Sequence, residues 1–330
     1  DILGTGGKVD VFDLETNLLH LSITVPWPRG MAYSPSRKRL YVAAIETFYA
    51  FTESGSLDFS VPLAVPPEGS DSLAQTAGGY KVAISLDQLY AFVTESDADL
   101  VEVIDLQSRI SKAQIPVGPG PRGIVANPRA NEVYVAKRSG AISIIDAVAH
   151  VEIDSIPVGN MGNGRLVVAP DGKRLYVTSS ARLPRPEGQD SSTVARVLAI
   201  DPGARTVVDT LQLGAVSDPV TEISDLAMSR DGTRVFATLN WDFYQSLGSI
   251  TTLGRASKFV TIEALGLEIA GELEIAGMER LFGCAVSPDD QTAYVIAKES
   301  IFDLTAQVLL LDLVQNESVG ALLGLAVPFE

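Results

Sequence analysis

The feature that most constrains this chain is a strand pattern that recurs six times along its length. Each copy is an apolar strand, a turn of four to six residues and a second strand that carries an aromatic residue. A pattern that recurs every 42 to 60 residues indicates a fold assembled from similar supersecondary units. The aromatic residues of the six copies are Tyr41, Phe92, Tyr134, Tyr176, Phe236 and Tyr294.

A second pattern fills the intervals between these copies. It is a strand of alternating apolar and polar residues that ends in an acidic residue, followed by a short turn and another alternating strand. Weaker copies have Thr52 and Glu263 in the acidic position, so the chain holds seven second patterns against six first patterns. The acidic residues of the best copies are Asp13, Asp105, Asp146, Asp201 and Asp312.

These patterns predict an all-β fold. Alternation with a period of two residues is typical of half-buried strands, and turns such as Pro-Asp-Gly join such strands as hairpins. No stretch combines a helical period with helix caps. Dividing 330 residues among seven repeats leaves about 47 residues for four strands, which is the size of a propeller blade. We therefore predict a seven-bladed β-propeller of four-stranded blades, and a β-sandwich with an irregular repeat is the alternative.

The predicted propeller is a single domain that spans residues 1–330. Residues 1–26 contain a second pattern with no first pattern before it, and residues 27–330 contain six blades. We name the four strands of a blade A to D, from the inside outwards. One blade is then expected to lack its inner A–B half in this chain. We expect a neighbouring segment or a partner segment to complete that seventh blade. Six full blades with an additional outer hairpin is the other arrangement that the pattern allows.

Several segments resemble the YVTN-type β-propeller repeat of surface-layer and cell-surface proteins. Arg-Leu-Tyr-Val-Thr at 174–178, after Pro-Asp-Gly at 170–172, matches closely, and Ile-Ser-Ile-Ile-Asp at 142–146 resembles the second half of that repeat. The resemblance covers almost the whole chain and implies that the motif residues are structural. It also implies an extracytoplasmic location, in a secreted, periplasmic or cell-surface protein. Further matches are Arg-Leu-Tyr-Val at 39–42 and Pro-Arg-Gly at 28–30 and 121–123.

The long connections belong to two of the connection types in a blade. Segment 66–78 joins a D strand to the next A strand, and segments 179–193, 240–248 and 299–305 join B strands to C strands. Both types emerge on the same face of a propeller, so we predict a ligand-binding face there. Aromatic rings beside carboxylates suit carbohydrate or peptide recognition. The candidate ligand-binding residues are Arg182, Arg185, Glu187, Asp190, Trp241, Asp242 and Tyr244.

A second candidate site lies where the chain enters the inner strands, at the mouth of the predicted central channel. Arginines that converge there can hold a carboxylate or a phosphate in a bidentate geometry. The alternative is that these charged residues form ion pairs with one another or face solvent. The channel-mouth residues are Arg29, Arg122, Arg165, Glu222, Asp225 and Arg280.

Composition argues against several functions. With 41 acidic and 25 basic residues, the formal net charge is −16, which argues against nucleic-acid binding. No apolar run approaches the roughly 18 residues of a membrane span, so we predict no direct membrane insertion. Cys284 is the single cysteine, and His20 and His150 fall near outer strands. A disulfide framework, a cysteine-based zinc site and a catalytic triad at the channel therefore lack their residues.

We predict no cofactor, no bound metal and no catalytic residue. Glu95, Asp97 and Asp99 carry the oxygen ligands that calcium prefers, but a solvated loop is the favoured interpretation of this run. Cys284 lies at a core-like position of a predicted A strand and is interpreted as an inert buried thiol.

The sequence thus favours a non-enzymatic binding propeller, one module of a larger extracytoplasmic or cell-surface protein. Its expected partner is a protein, a peptide or a glycan, bound on the face with the long loops. One alternative is a lactonase- or lyase-type enzyme with its site at the channel mouth, which a divalent metal near Glu222 and Asp225 would favour. The other is a purely structural module of a surface layer.

Overall fold

The computed structural model describes residues 7–64, 79–161, 164–183, 192–213, 220–247, 250–299, 306–315 and 317–325. Within these ranges the regular elements are 26 β-strands, which confirms the all-β class. The chain divides into two compact units, Asp1–Val158 and Gly159–Glu330.

The first unit begins with a hairpin and continues with three four-stranded antiparallel sheets. Strands β1 (Gly7–Asp13) and β2 (Leu18–Val25) pair with each other in a two-stranded sheet. Each four-stranded sheet follows the chain order, so it is a simple meander. The strands of the first sheet are β3 (Pro28–Ser34), β4 (Arg39–Ala44), β5 (Thr47–Thr52) and β6 (Leu57–Pro62). Those of the second are β7 (Gly79–Ile84), β8 (Tyr90–Glu95), β9 (Leu100–Asp105) and β10 (Ile110–Pro116). Those of the third are β11 (Pro121–Ala126), β12 (Glu132–Lys137), β13 (Ala141–Asp146) and β14 (Val151–Pro157).

The second unit contains three further meanders of four strands. A short parallel contact between Thr193 and Val220 joins the first two of them into one eight-stranded sheet. The strands are β15 (Leu166–Val168), β16 (Leu175–Leu183), β17 (Ser192–Asp201) and β18 (Thr206–Leu213); β19 (Val220–Met228), β20 (Arg234–Leu247), β21 (Ile250–Glu263) and β22 (Glu268–Glu274); β23 (Arg280–Val286), β24 (Thr292–Lys298), β25 (Ala306–Asp312) and β26 (Glu317–Leu325).

Within each unit the first strands of successive meanders are neighbours. Strand β7 lies beside both β3 and β11, and β19 lies beside both β15 and β23. The last strands β6, β10 and β14 approach one another far less. Sheets that converge on their first strands and diverge at their last strands are the blades of a β-propeller, and the described residues form six of them.

The predicted number of seven blades is wrong, because the described residues form six four-stranded blades and the separate β1–β2 hairpin. The expectation came from counting the second pattern, which occurs in this hairpin as well as in the blades. The aromatic pattern marks each blade once and counts six. The hairpin packs on the first blade, where Val9 and Val25 share a buried cluster with Val42 and Phe51.

The acidic residue of the second pattern caps the turn between the C and D strands. In the second blade, the Asp105 carboxylate accepts the N–H groups of Ser108 and Gln107 at 2.9 and 2.8 Å. These hydrogen bonds stabilise the charged form and lower the pKa of Asp105. The turn ends in left-handed Arg109, with φ 63°, and a β-bulge follows in the D strand. Similar caps occur at Asp13, Asp146, Asp201 and Asp312.

The recurring aromatic residue packs between neighbouring blades. Tyr41 of the first blade shares a buried cluster with Val82 and Val93 of the second blade. Phe92 of the second blade shares another with Val133 of the third blade. Within each unit, the hydrophobic cores therefore lie between neighbouring blades.

A threonine two residues after the aromatic residue ties its strand to the inner strands. Thr94 Oγ1 accepts the N–H of Lys81 at 3.1 Å and donates to the carbonyl oxygen of Arg122 at 2.8 Å, which links β7, β8 and β11. Thr178 Oγ1 accepts the N–H of Arg165 at 3.0 Å. These bonds fix the backbone of two predicted channel-mouth residues, Arg122 and Arg165.

Candidate functional site

The B–C hairpins of the fourth and fifth blades extend beyond the body of their sheets. Strands β20 and β21 have 14 residues each, whereas the B and C strands of the first three blades have six. Segment 240–248, which we predicted as a loop, instead continues the strand pairing as far as Leu247 and Ile250. Segment 179–193 is also strand over its described residues. The extra residues of these segments therefore lengthen hairpins.

The two predicted groups of functional residues meet at one edge of the fifth blade. Because A and B strands are antiparallel, the start of an A strand lies beside the end of its B strand. Glu222 is opposite Asn240, and Thr221 is opposite Trp241. A channel-mouth residue and a residue of the predicted ligand-binding loop are thus neighbours on β19 and β20.

Register irregularities affect where the inner strands point their side chains. They occur near the start of β3, β7, β11 and β23 and in the middle of β19. A bulge redirects a side chain and increases the local twist. Strict alternation of the sequence therefore does not predict which face of the sheet a channel-mouth residue occupies. Its interaction partners are identified only from the structure.

Two adjoining ion pairs lie at this edge. Arg280 Nη1 is 3.0 Å from Glu222 Oε2, and Arg255 Nη1 is 3.5 Å from Glu279 Oε2. Glu279 directly precedes Arg280, so the pairs form a short row of alternating charge. All four side chains are partly exposed. Such partly exposed pairs contribute little to stability.

Trp241 adds an aromatic surface at the same edge, on the opposite face of the sheet from these ion pairs. Lys258 Nζ is 5.3 Å from the centroid of the Trp241 ring and 3.0 Å from Glu272 Oε2. The cation–π attraction and the ion pair hold the ammonium group over one face of the indole. Trp241 is partly exposed, so this edge combines an aromatic ring with charges of both signs.

A buried asparagine holds the fifth blade to the sixth beneath these residues. The Asn240 amide nitrogen donates to Ser224 Oγ at 2.6 Å and to the Leu281 carbonyl oxygen at 2.8 Å. Its amide oxygen accepts the N–H of Leu281 at 2.8 Å. The carboxamide thus pairs with Leu281 as a second peptide group would, and it positions the start of β23 beside Glu222.

Arg165, which directly precedes β15, lies close to Asp225 of the neighbouring inner strand β19. Arg165 Nε donates to the Ser224 carbonyl oxygen at 2.9 Å and lies 3.8 Å from Asp225 Oδ1, while its Nη1 is buried without a hydrogen-bond partner. Asp225 Oδ2 accepts the N–H of Cys284 at 3.2 Å. Burial, followed by the Asp225 charge, raises the pKa of the Cys284 thiol. The thiol is therefore protonated at neutral pH.

The other predicted residues lie in several places. Arg29 is exposed on β3 and Arg122 is half-buried on β11, both in the first unit. Three residues lie on strands where their side chains are not described, Arg182, Asp242 and Tyr244, and three lie outside the described residues, Arg185, Glu187 and Asp190.

A buried acidic residue lies apart from the edge of the fifth blade. Glu95, at the end of β8, is 1% exposed, and neither of its carboxylate oxygens has a hydrogen-bond partner. Burial, followed by the charges of Glu102 and Asp97, raises the pKa of Glu95 to about 9. Asp99, from the same acidic run, accepts the N–H of Gly120 at 2.8 Å. Among the described residues, no three His, Cys, Asp or Glu side chains form a group that could hold a metal ion.

Comparisons with known proteins support the fold. The chain matches a structure of hydrazine synthase from Kuenenia stuttgartiensis with a TM-score of 0.70 and 18% identity, over 92% of this chain and 88% of that chain. It matches the β-propeller domain of Cps50 (Swd1) from Myceliophteria thermophila with a TM-score of 0.66 and 15% identity, over 89% and 88% of the two chains. At these identities the likeness shows the fold alone.

Sequence comparisons add no family. No family model matches the chain, and no curated protein matches it. In the described part of the chain, no helix has the length and apolar character needed to cross a membrane.

Proposed function

We propose that this chain is a binding module whose ligand docks on the edge of the fifth blade, along the β20–β21 hairpin. The observation that carries the proposal is the partly exposed Trp241 ring on this extended hairpin, which lies beside Lys258 on one face of the blade, while the Glu222–Arg280 ion pair lies on the other face of the same edge. The backbone pairing of this hairpin holds Trp241 in place, and a binding residue that is already held in place lowers the entropy cost of binding.

The chemistry of the edge suits a polar chain molecule. The Trp241 indole offers a flat surface on which a sugar ring or an apolar side chain can stack. The ion pairs of Arg280 and Arg255 offer guanidinium groups that can rearrange toward a carboxylate, and their acidic partners can accept hydrogen bonds. A protein, a peptide or a glycan is the class of ligand that this combination fits.

The proposal also covers the cellular location of the module and the kind of protein to which it belongs. The resemblance to the YVTN-type repeat at 174–178 and 142–146 supports membership of that propeller family, and many of its members are surface proteins. The net charge of −16 suits a soluble extracytoplasmic module. We therefore place it in a larger secreted or cell-surface protein.

The test begins with unbiased ligand probes. The purified chain would be applied to an immobilised glycan array and to a random-peptide display library. Binding of the selected glycan or peptide would then be measured for wild type, Trp241→Ala, Trp241→Phe and Arg280→Ala. Lys38→Ala is the control, because Lys38 is an exposed residue of the first blade.

We expect Trp241→Ala to weaken binding by about tenfold or more, since hot-spot aromatic residues carry at least about 2 kcal/mol. Trp241→Phe should retain part of the affinity, and Lys38→Ala should retain all of it. If Trp241→Ala and Arg280→Ala both bind the selected ligand with wild-type affinity, the proposal is contradicted. Lactone hydrolysis that disappears in Asp225→Asn would instead establish the enzyme alternative.

A further inference from the structure

Two glutamates are buried side by side in the second blade. Glu95 is opposite Leu100 in the β8–β9 pairing, and Glu102 lies two residues after Leu100 on β9. Residues two apart on a strand share a face, so both glutamates project from the same face of the sheet. Their exposed fractions are 1% and 2%. Diagonal neighbours of this kind are about 7 to 8 Å apart at the backbone, which long side chains bridge.

The two carboxylates have different surroundings. Glu102 Oε2 accepts the N–H of Ala64 at 2.7 Å, and Glu102 Oε1 accepts the Ser111 hydroxyl at 2.6 Å. These bonds hold Glu102 in one orientation. Both oxygens of Glu95 lack a hydrogen-bond partner, and the charges that act on it, from Glu102 and Asp97, are negative. A buried carboxylate in this position requires either a proton or a cation.

We propose that Glu95 and Glu102 bind one divalent metal ion of the hard type, with calcium as the fitting example, at the junction of the first and second blades. Ala64 follows β6 of the first blade, so its hydrogen bond to Glu102 places the pair at this junction. Two carboxylates balance the charge of the ion. Calcium completes its shell with carbonyl oxygens, hydroxyl groups and water, so a site with two acidic side chains is within its range.

The site differs from the calcium candidate considered from the sequence. There, Glu95, Asp97 and Asp99 were grouped by their spacing. In the structure Asp99 Oδ1 is engaged by the Gly120 N–H, and the buried partner of Glu95 is Glu102 on the next strand. The pairing of β8 with β9 therefore supplies a ligand that the linear spacing does not contain.

The experiment measures bound metal directly. The full chain would be stripped with EDTA, dialysed against buffer with 1 mM calcium and analysed for metal content by mass spectrometry. The variants are Glu95→Gln and Glu102→Gln, and the control is Glu15→Gln, an exposed carboxylate in the β1–β2 turn. The thermal unfolding midpoint with and without calcium gives a second readout, because a ligand that binds the folded state raises it.

We expect about one calcium ion per wild-type chain, a raised unfolding midpoint with calcium, and at least a tenfold loss of calcium affinity in Glu95→Gln. Glu15→Gln should behave as wild type. If Glu102→Gln fails to fold, Glu95→Gln decides the matter alone, since Glu95 gives up no hydrogen bond.

Two results would overturn the proposal. Wild type that takes up no calcium and shows no midpoint shift would mean that Glu95 carries a proton instead. Calcium that stays bound to Glu95→Gln with wild-type affinity would place the ion elsewhere. The proposal does not depend on the ligand-binding function of the fifth blade.

Discussion

The hydrogen bonds of Asn240 lead to a prediction for the free energy of unfolding. Its carboxamide makes three hydrogen bonds, and two of them go to the N–H and carbonyl groups of Leu281. Leu281 is fully buried and lies at the start of β23, beside a register irregularity. Asn240→Ala therefore leaves two backbone groups of a buried residue without partners.

The size of the effect follows from these two groups. A buried donor or acceptor that loses its partner costs about 1 to 3 kcal/mol, so the two together cost about 2 to 6 kcal/mol. Ser257→Ala is the matched control, because buried Ser257 is opposite Asn240 and makes one hydrogen bond, to the Met278 carbonyl oxygen at 3.0 Å. Its loss should cost about 1 kcal/mol.

The assay is urea unfolding followed by tryptophan fluorescence. The chain has two tryptophans, Trp27 in the first unit and Trp241 next to Asn240. In a Trp27→Phe background, Trp241 is the only tryptophan of the chain, so the fluorescence signal reports on the second unit alone. If Asn240→Ala lowers the unfolding free energy by less than about 1 kcal/mol, or by no more than Ser257→Ala, the orphaned Leu281 groups have found other partners and the argument fails.

Three further predictions concern turns and titration. Lys38 has φ 53°, so Lys38→Gly should stabilise the chain by about 1 kcal/mol in a thermal melt while Lys38→Ala should not; equal stability of the two variants would contradict this. Asp105→Ala should cost about 1 kcal/mol through the lost turn cap, and Asp105→Asn should cost less, as judged by urea midpoints; the reverse order would refute the capping role. Burial against Tyr90 lowers the pKa of His150, so the unfolded chain takes up a proton first and stability should fall as the pH drops below about 6.5. His150→Asn, which tolerates the left-handed backbone, should flatten this slope in unfolding experiments at pH 5 to 8, and an unchanged slope would assign it to other groups.

The repeat made the all-β class and the size of a blade predictable, but the number of blades depended on which pattern was counted. The aromatic pattern reports a contact between blades, as at Tyr41 and Phe92, and so it occurs once for each blade. The acidic pattern reports a local turn, as at Asp13, and a turn forms whether or not a full blade surrounds it. Only the pattern that depends on neighbouring blades counts them correctly.

The edge of the fifth blade was predictable only in part. Trp241 and Glu222 were both selected from the sequence, but as members of separate groups. Their adjacency depends on the long pairing of β19 with β20, which was missed because segment 240–248 was interpreted as a long connection between the B and C strands. The ion pairs of Arg280 and Arg255 depend on the junction between blades, which strand alternation does not describe.

Glu95 was misinterpreted because an acidic run usually faces solvent. A signal for its burial was nevertheless present in the repeat. Glu95 lies three residues after Phe92, and the residues three after Tyr41, Phe236 and Tyr294 are apolar: Ala44, Leu239 and Ala297. All three are buried in the structure, as Glu95 is. Comparison of equivalent positions in neighbouring blades would have indicated that the end of the B strand is enclosed there.

The capped turns have a consequence for how the chain acquires its structure. The cap at Asp105 closes between residues no more than three apart, and the strands on either side pair immediately. Contacts of such low sequence separation form in microseconds, long before contacts between blades. Five hairpins of the described residues have this cap, the first at Asp13, and each can therefore act as an independent folding nucleus. Assembly then becomes the docking of preformed pieces, and its slow step is the burial of the aromatic residues between them.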